Sequence, residues 1–323
     1  MNIKHIVKKG IQYLFDSDYR FLFNATKGRY NNMSDKEYIS RIYEAKLHKK
    51  MQWDNPVTFN EKLQWLKIYD HRPIYTILVD KFLAREYVAE KIGEQYLIPL
   101  LGVWDKAEEI DFQELPDQFV LKCNHNSGTG MVICTDKNKL NYDKVIAGLN
   151  AGLAQDYYQL GREWPYKNVK RKIIAEKYLV DSNVTKHSKL DSLGLIDYKF
   201  YCFNGEPKFL YTGYANIVDG KKNDYLSFRN IDWSIAEFGR DDHDQIPFEL
   251  EKPVNFEEMI DLARVLAEGI PFVRVDLYCI DGHIFFSEFT LNPGSGYGIF
   301  QPEKYERLFG SWINLDGVEE SES

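Results

Sequence analysis

Short β-rich runs separated by turn residues dominate the chain beyond Tyr96, and they constrain its fold more than any other feature. The runs are FVLKC, MVICT, KIIAEKYLV, DYKFYCF, KFLYTGY, FVRVDLYCI and HIFFSEFTL. Asn204-Gly205 and Asp281-Gly282 each separate two consecutive runs, and both dipeptides are strong signals of tight hairpin turns. Helical patterns at about residues 142–153 and 256–268 interrupt the runs. The sequence therefore predicts an α+β fold of antiparallel sheets backed by helices.

Helical segments are also predicted ahead of these strands. The sequence TFNE at residues 58–61 has the form of a capping box, which predicts a helix that begins near Phe59. A second helix is predicted from about residue 78 to residue 93. It would carry Asp80, Lys81 and Arg85.

Length, cysteine content and hydropathy exclude several classes of protein. A chain of 323 residues with 44% apolar content can bury a large core, most simply as one enzyme-sized unit of two or three subdomains. The four cysteines lie far apart without a CxxC pair, so neither a disulfide framework nor a zinc site is indicated. No run has the length of a membrane span, and the first residues lack the apolar stretch of a signal peptide. We therefore expect a protein of the reducing cytoplasm.

The N-terminal segment differs in charge from the rest of the chain. Residues 1–50 contain 11 Lys/Arg and 5 Asp/Glu, a net charge of +6. Because the whole chain has a net charge of −8, the remaining residues carry −14. Two interpretations remain open: a helix on the inner, anionic face of a membrane, or a helix docked on the protein body with its lysines in solvent. Nucleic acid is not an expected partner. The residues that favour such an amphipathic helix are Ile3, Ile6, Val7, Leu14, Lys4, Lys8 and Lys9.

The run FVLKCNHNSGTGMVICT has the pattern of a phosphate-binding loop. A strand ends near Lys122, and a loop that contains Ser127 and Gly128 follows it. Small residues let backbone amides approach an anion, and the lysine supplies a positive charge. Lys122 precedes the glycines, so this is not a Walker loop. A flexible surface turn is the alternative, and His125 either contacts a phosphate, acts as a base, or shapes the loop.

Two further strands carry charged residues at positions that suggest a cleft. Glu176 and Lys177 interrupt an apolar run, either because the run is an edge strand or because it is a hinge whose backbone as far as Leu179 binds an adenine edge. In the following run, alternation places Lys199 on the same face as Asp197. Lys199 is therefore a second candidate for binding phosphate.

The last hairpin carries two acidic residues whose relative orientation depends on the turn. Arg274 and Asp276 share one face of the first strand, and Glu288 and Thr290 share one face of the second. A two-residue loop would place the carboxylates on opposite sides, whereas a three-residue loop with Gly282 as a bulge places them on the same side. We predict the bulge. Facing carboxylates favour a hard cation such as Mg²⁺, although separate pairing with basic residues is the alternative.

The order of these features resembles the ATP-grasp fold, and longer strings resemble the TupA-like branch of that family, which is named for teichuronopeptide biosynthesis and belongs to capsular polysaccharide chemistry. The strings are NPVTFNEKLQWLKIYD, LKCNHNSG, REWPYKN, DYKFYCFNGEPKF and EFTLNPGSG, and they extend over roughly residues 53 to 305. The resemblance implies two α+β lobes with antiparallel sheets that clamp ATP, preceded by a helical N-terminal region. It also implies Mg²⁺ on the ATP phosphates and an acyl-phosphate that is captured by an amine.

The resemblance further implies roles for the residues at matching positions. Those implied for the phosphates are Lys81, Lys122, Lys199, Ser127 and Gly128. Those implied for adenine are Glu176, Lys177 and Leu179. Those implied for Mg²⁺ are Asp276 and Glu288, with Thr290 or Asn292 as a third ligand because Glu288-Phe289-Thr290 replaces the E-x-N of many ATP-grasp ligases. Arg274 and Lys199 would act in catalysis, and Asp181 or Asn183 would bind ribose.

These expectations lead to a predicted function and domain division. We expect an ATP-dependent carboxylate–amine ligase, whose substrates are an amine and a carboxylate such as a uronic acid of a cell-surface polysaccharide or its precursor. A glycosyltransferase is the alternative, because Asp242-His243-Asp244 has the D-x-D form that holds a metal and a sugar nucleotide. The predicted divisions are a basic arm (1–54), a helical region (55–99), a lobe with the phosphate loop (100–180), a lobe with the metal site (181–310) and an acidic tail (311–323).

Overall fold

The computed structural model describes residues 12–181, 195–218, 221–240, 243–246, 249–316 and 318, with the backbone alone for 214–218, 221–224 and 244. Two sheets and the helices packed on them make up this part of the chain, as the α+β prediction requires. None of the described helices is both long enough and apolar enough to cross a bilayer. Residues 1–11, which carry most of the predicted amphipathic helix, and the end of the acidic tail lie outside the described residues.

The smaller sheet carries the predicted phosphate loop. Its order is β1-β4-β2-β3, and all of its pairings are antiparallel. β4 lies between β1 and β2, so the edge-strand interpretation of this run is wrong, and Glu176 is buried on a central strand. One face packs on helix α6 through Phe119, Leu121 and Leu149, which leaves the opposite face for Lys122 and Glu176. The strands are β1 Leu100–Trp104, β2 Phe119–Cys123, β3 Val132–Cys134 and β4 Ile173–Lys177, and α6 spans Tyr142–Ala154.

The larger sheet carries the hairpin with the two carboxylates. Its order is β10-β9-β5-β6-β7-β8, antiparallel except for the β7–β8 pair. One face packs against helix α8 through Phe200, Val275 and Phe289, and the other holds an aromatic cluster around Phe59 and Tyr201. The strands are β5 Asp197–Phe203, β6 Glu206–Val218, β7 Lys221–Asn230, β8 Asp244–Gln245, β9 Phe272–Ile280 and β10 His283–Thr290, and α8 spans Phe256–Leu266.

Helices α3 (Phe59–Tyr69) and α9 (Lys304–Trp312) cover the aromatic face of the larger sheet, whereas α4 (Ile74–Val79) and α5 (Ala84–Ile92) pack with α8 on its other face. Helix α3 begins at Phe59 with the predicted capping box, in which Thr58 and Glu61 bond each other's backbone amides. The remaining bounds are α1 Ser17–Ala25, α2 Asp35–Leu47, α3 Phe59–Tyr69, α4 Ile74–Val79, α5 Ala84–Ile92, α7 Tyr158–Gly161 and α9 Lys304–Trp312.

The buried Arg162 connects the N-terminal helices α1 and α2 to the rest of the protein through hydrogen bonds to the segment between them. The Nη2 of Arg162 donates to the carbonyls of Tyr30 at 2.9 Å and Asn31 at 3.1 Å, and its guanidinium lies 4.6 Å from the ring centre of Tyr38. Tyr38 packs in one apolar cluster with Tyr297, which follows the β9–β10 hairpin. The described part of the predicted basic arm is therefore docked on the body.

The single helix predicted over residues 78–93 is wrong, because the chain breaks at Asp80. Helix α4 ends at Val79, Asp80 is extended with ψ 107°, and α5 begins only at Ala84. The Asp80 carboxylate accepts hydrogen bonds from the backbone amides of Phe82 and Leu83 at 2.8 and 3.2 Å. Aspartate competes for backbone amides in this way and favours helix starts over helix interiors. Lys81 consequently lies in the break.

Candidate functional site

The last hairpin places Asp276 and Glu288 side by side, but through a bulge at a position that the sequence did not indicate. The Asp281-Gly282 turn has two residues, both with positive φ (51° and 80°), so the predicted bulge at Gly282 is wrong. The register instead shifts between Phe286 and Glu288, which places the extra residue at Ser287. One extra residue reverses the alternation of all residues beyond it. Glu288 is therefore paired directly with Asp276 on the same face.

A row of charged side chains crosses the three strands β5, β9 and β10. Lys199 is paired in register with Asp276, and Asp276 with Glu288. The Lys199 Nζ lies 2.7 Å from Asp276 Oδ2, and Arg274 donates to both Asp276 oxygens at 2.6 and 2.5 Å. Burial opposes the charge of Lys199, but Asp276 and Asp197 outweigh it and hold the pKa of Lys199 well above its usual value. Ion pairs and hydrogen bonds therefore hold Lys199, Asp276 and Arg274 together.

Glu288 is the more accessible of the two carboxylates and faces several cations. Its side chain is 32% exposed, while that of Asp276 is fully buried. Burial alone would raise the pKa of the Glu288 carboxyl, but the surrounding positive charges outweigh burial and lower that pKa to about 2. The cations responsible, in decreasing order of effect, are Lys81, Lys199, Arg274 and Lys122.

The other two predicted phosphate-binding lysines approach this row from the helix break and from the smaller sheet. Lys81 Nζ donates to the carbonyl of Asn126 in the phosphate loop at 2.9 Å and lies 3.5 Å from Glu288. Lys122 Nζ lies 2.6 Å from Glu176, which also lies 3.5 Å from Arg85. The sequence indicated neither the contact of Arg85 with Glu176 nor the contact of Lys81 with the loop, because both join segments far apart in the chain.

The phosphate loop itself is anchored at its base and exposed at its tip. Ser127 and Gly128 are exposed, and Gly128 has φ 82°, a conformation that glycine adopts without strain. His125 is buried, and its Nε2 is 3.1 Å from the carbonyl oxygen of Gln155. Burial lowers the pKa of His125, so the neutral ring is favoured. This placement favours the loop-shaping interpretation of His125 over contact with a phosphate or action as a base.

The segment predicted to bind adenine is only partly free to do so. The Lys177 side chain is exposed and Leu179 is half-buried, but the backbone amide of Lys177 donates to the carbonyl of Pro99 at 2.9 Å. Of the two ribose candidates, Asp181 is buried and Asn183 lies outside the described residues.

The predicted Mg²⁺ ligands supply oxygen donors alone, which suits a hard cation. No group of three or more His, Cys, Asp or Glu side chains within the described ranges is arranged to hold a metal. Both Asp276 oxygens already bond Arg274 and Lys199, whereas Glu288 meets its cations only at 3.5 and 3.6 Å. Thr290 is half-buried, and Asn292 is buried at the start of the turn that follows β10. The residues therefore fit Mg²⁺ only if phosphates and water complete its coordination.

The D-x-D sequence falls mostly outside the part of the chain that can be described. Asp242 is not described, and of Asp244 only the backbone is, in the two-residue strand β8.

Comparisons with known proteins bear on the fold and the family. Among solved structures, the D-alanine–D-alanine ligase from Helicobacter pylori shares 12% identity over 81% of this chain and 68% of that chain, with a TM-score of 0.42. The same enzyme from Bacillus anthracis shares 14% identity over 85% and 83% of the two chains, with a TM-score of 0.41. The ATP-grasp ligase PsnB in complex with its minimal precursor shares 11% identity over 72% and 60%, with a TM-score of 0.38. A comparison with curated proteins gave no significant match.

The family model described as TupA-like ATPgrasp matches residues 61–314. The match includes the strands, the phosphate loop and the charged hairpin. It confirms the predicted family and the α+β ATP-grasp fold, and with them the class of ATP-dependent ligases. The chain belongs to the TupA-like ATP-grasp family.

Proposed function

We propose that this ATP-dependent carboxylate–amine ligase makes its amide through an acyl-phosphate and modifies a uronic acid, or a similar carboxylate, of a cell-surface polysaccharide or its precursor. The observation that carries the proposal is the direct pairing of Asp276 and Glu288 between Arg274 and the lysines. This arrangement concentrates positive charge beside two oxygen ligands, which is what a nucleoside triphosphate with a divalent cation requires.

The nucleotide would lie between the two sheets. Lys81, Lys122 and Lys199 come from three separate elements, and each now contacts a carboxylate that phosphate oxygens would replace or join. The remaining contacts belong to the smaller sheet and its loop. Ser127 and Gly128 would close over the phosphates, and Glu176, Lys177 and Leu179 would frame adenine.

Asp276 and Glu288 would hold Mg²⁺, with Thr290 or Asn292 as a further ligand. When bound, Mg²⁺ would neutralise charge on the phosphates. Among the ligands, Glu288 is ionised at neutral pH because its pKa is about 2.

Arg274 and Lys199 are the proposed catalytic residues. A carboxylate oxygen of the substrate attacks the terminal phosphorus of ATP, the bond to the ADP oxygen breaks, and an acyl-phosphate forms. The amine then attacks the acyl carbon, phosphate leaves with the bonding electrons, and the amine loses a proton. Both oxygens of Asp276 orient the Arg274 guanidinium, so its positive charge is already in place to stabilise the transferred phosphoryl group.

Two features support an acceptor at a membrane or cell surface. The first is the TupA-like family itself, whose name refers to teichuronopeptide biosynthesis. The second is the surface near the basic N-terminal arm, where Leu14 and Phe15 are 67% and 84% exposed. Peripheral contact with the inner face of a membrane would suit a lipid-linked acceptor.

The first test is ATP binding and slow ADP release by the purified chain with Mg²⁺. We expect Mg²⁺-dependent binding that Glu288→Ala and Lys122→Ala each weaken at least about tenfold, the effect of losing a charged contact. Lys172→Ala is the matched control, because Lys172 directly precedes β4 of the same sheet, and its side chain pairs with Asp105 outside the charged row. That variant should bind as the wild type does.

The second test identifies the substrates and separates the two enzyme classes. ADP release that rises when a uronic acid and an amine are added together supports the proposed acceptor. Binding of a nucleotide-sugar with no binding of ATP would overturn the proposal in favour of the glycosyltransferase.

A further inference from the structure

A buried hydrogen-bonded cross-link joins the helix break to the phosphate loop. The Nδ2 of Asn124 donates to the Asp80 carboxylate at 2.8 Å and to the carbonyl of Lys170 at 3.0 Å. The side-chain Oδ1 of Asn124 accepts from the backbone amide of Lys172 at 2.7 Å, and the backbone amide of Asn124 donates to the Lys172 carbonyl. Both side chains are buried. Hydrogen bonds of both the side chain and the backbone thus fix Asn124. Its hydrogen bond to Asp80 connects the loop to the break between α4 and α5.

The same cross-link defines where Lys81 lies. The backbone amide of Lys81 donates to the carbonyl of Asn124 at 3.0 Å. The side chain then reaches Asn126 in the loop and Glu288 on the other sheet. Because Asp80 is extended, Lys81 leaves the helix axis and points along this path. The position of the ammonium group therefore depends on the contact between Asp80 and Asn124.

The simpler role for Asp80 is to cap the turn at residues 81–83 that leads into α5, since it also bonds the amides of Phe82 and Leu83. A cap would stabilise α5, and its loss would leave ATP affinity unchanged. The cap does not account for Asn124, whose side chain bonds Asp80, Lys170 and Lys172 and whose carbonyl accepts from the amide of Lys81.

We propose that Asp80 and Asn124 are positioning residues that hold Lys81 between the phosphate loop and Glu288. This inference rests on the proposed function, because it takes Lys81 to contact the ATP phosphates. The inference adds that Asp80 and Asn124 raise the affinity for ATP indirectly, through the position of Lys81.

The test compares dissociation constants for a non-hydrolysable ATP analogue with Mg²⁺, measured by calorimetry. Lys81→Ala and Asp80→Ala should each weaken binding at least about tenfold. The double variant should bind within about twofold of Lys81→Ala, because Asp80 acts through Lys81. Asp80→Asn keeps an oxygen acceptor for all three donors and should restore most of the affinity.

Two further variants separate positioning from stability. Asn124→Ala removes the cross-link and leaves the cap of α5 intact, so weaker binding in this variant cannot come from the cap and remains measurable if Asp80→Ala does not fold. Asp70→Ala is the matched control: Asp70 is an equally buried aspartate that pairs with Arg72 and Tyr75 beyond α3. It should lower the melting temperature and leave ATP affinity unchanged.

The outcomes distinguish the two proposals. Unchanged affinity in folded Asp80→Ala and Asn124→Ala, with weaker binding in Lys81→Ala, would overturn the positioning role alone. Additive losses in the double variant would also overturn it. Unchanged affinity in Lys81→Ala would instead show that Lys81 does not bind the phosphates, and both proposals about this residue would fail.

Discussion

Arg274 shows how one residue can be fixed before any ligand arrives. Its guanidinium bonds both oxygens of Asp276 and lies 5.7 Å from the ring centre of Tyr211. Burial opposes its charge, but Asp276 and the nearby tyrosines outweigh burial and keep its pKa well above the usual value. Its orientation relies on a planar group with two parallel donors, which lysine lacks.

Arg274→Lys should therefore lower turnover more than binding. We expect ADP release to fall about 100-fold, as for the loss of one preorganised donor, while ATP affinity changes by less than about threefold. Arg264→Lys is the control, because Arg264 pairs with Glu206 and Asp261 on the surface of α8. An equal loss of affinity and turnover would show that Arg274 acts in ground-state binding.

At the scale of elements, the hairpin of β9 and β10 combines a tight turn with a bulge several residues away. From the turn to Phe286 the two strands keep one register, in which Phe286 pairs with Leu277. The bulge at Ser287 then shifts the register by one residue, so that Glu288 pairs with Asp276. Had the chain continued without the bulge, Glu288 would face α8 and the apolar core.

Deletion of Ser287 should preserve Mg²⁺-dependent ATP binding, because it removes only the extra residue of the bulge. Glu288 would then follow Phe286 directly and would still pair with Asp276 on the same face. Ser287→Ala keeps the bulge and should retain binding. Calorimetry measures the affinity, and circular dichroism checks that the deletion variant is folded. Loss of binding by the folded deletion variant would contradict the role given to the pairing of Glu288 with Asp276.

The basic N-terminal arm gives a second prediction at this scale. Substituting Lys4, Lys8 and Lys9 by Glu should abolish co-sedimentation with vesicles that contain anionic lipid, because each lysine contributes about 1 kcal/mol near such a surface. Substitution is preferable to deletion of residues 1–30, since Phe21 and Tyr30 pack in the N-terminal cluster. The same charge change at the exposed Lys139, Lys144 and Lys208 should have no effect. Unchanged sedimentation of the arm variant would exclude the membrane role.

At the scale of the whole molecule, the site is assembled from both sheets and from the helices that precede them. Lys122 comes from the smaller sheet, Lys199 from the larger sheet and Lys81 from the helix break. Helix α9 closes the aromatic side of the larger sheet, and it carries a buried acid, Glu306, whose Oε1 accepts from the amide of Phe300 at 2.8 Å.

Glu306 should make the stability of the protein depend on pH. Burial raises the pKa of its carboxyl from 4.5 to about 7, so the folded state favours the neutral acid. The contribution is complete below the unfolded value and is lost as pH rises through the folded value. We expect the free energy of unfolding to fall by up to about 3 kcal/mol between about pH 5 and pH 8. Glu306→Gln should remove this fall, whereas Glu303→Gln at the exposed start of α9 should not. Chemical denaturation at the two pH values measures the difference, and an unchanged slope in Glu306→Gln would refute it.

Sequence patterns located the central strands well and the irregular features poorly. The bounds of β2, β5 and β9 coincide with the runs FVLKC, DYKFYCF and FVRVDLYCI, because buried alternation and hairpin turns leave a clear signal. Strand β7 begins with the polar sequence KKND, which has no such signal. The break at Asp80 and the bulge at Ser287 depend on hydrogen bonds between distant backbone groups. For the same reason the sequence indicated Lys81 and Lys122 but neither Asn124 nor Asn126.

The docking of the N-terminal helices by Arg162 has a consequence for where the functional unit begins. The family match starts at residue 61, yet Arg162, inside the match, is satisfied by carbonyls at residues 30 and 31. A fragment limited to residues 61–314 would remove these carbonyls and the Asp35 ion pair from Arg162, and it would also remove the apolar residues that pack on Tyr297 after the β9–β10 hairpin. We therefore expect the smallest portion that folds and binds ATP to be longer than the portion that defines the family.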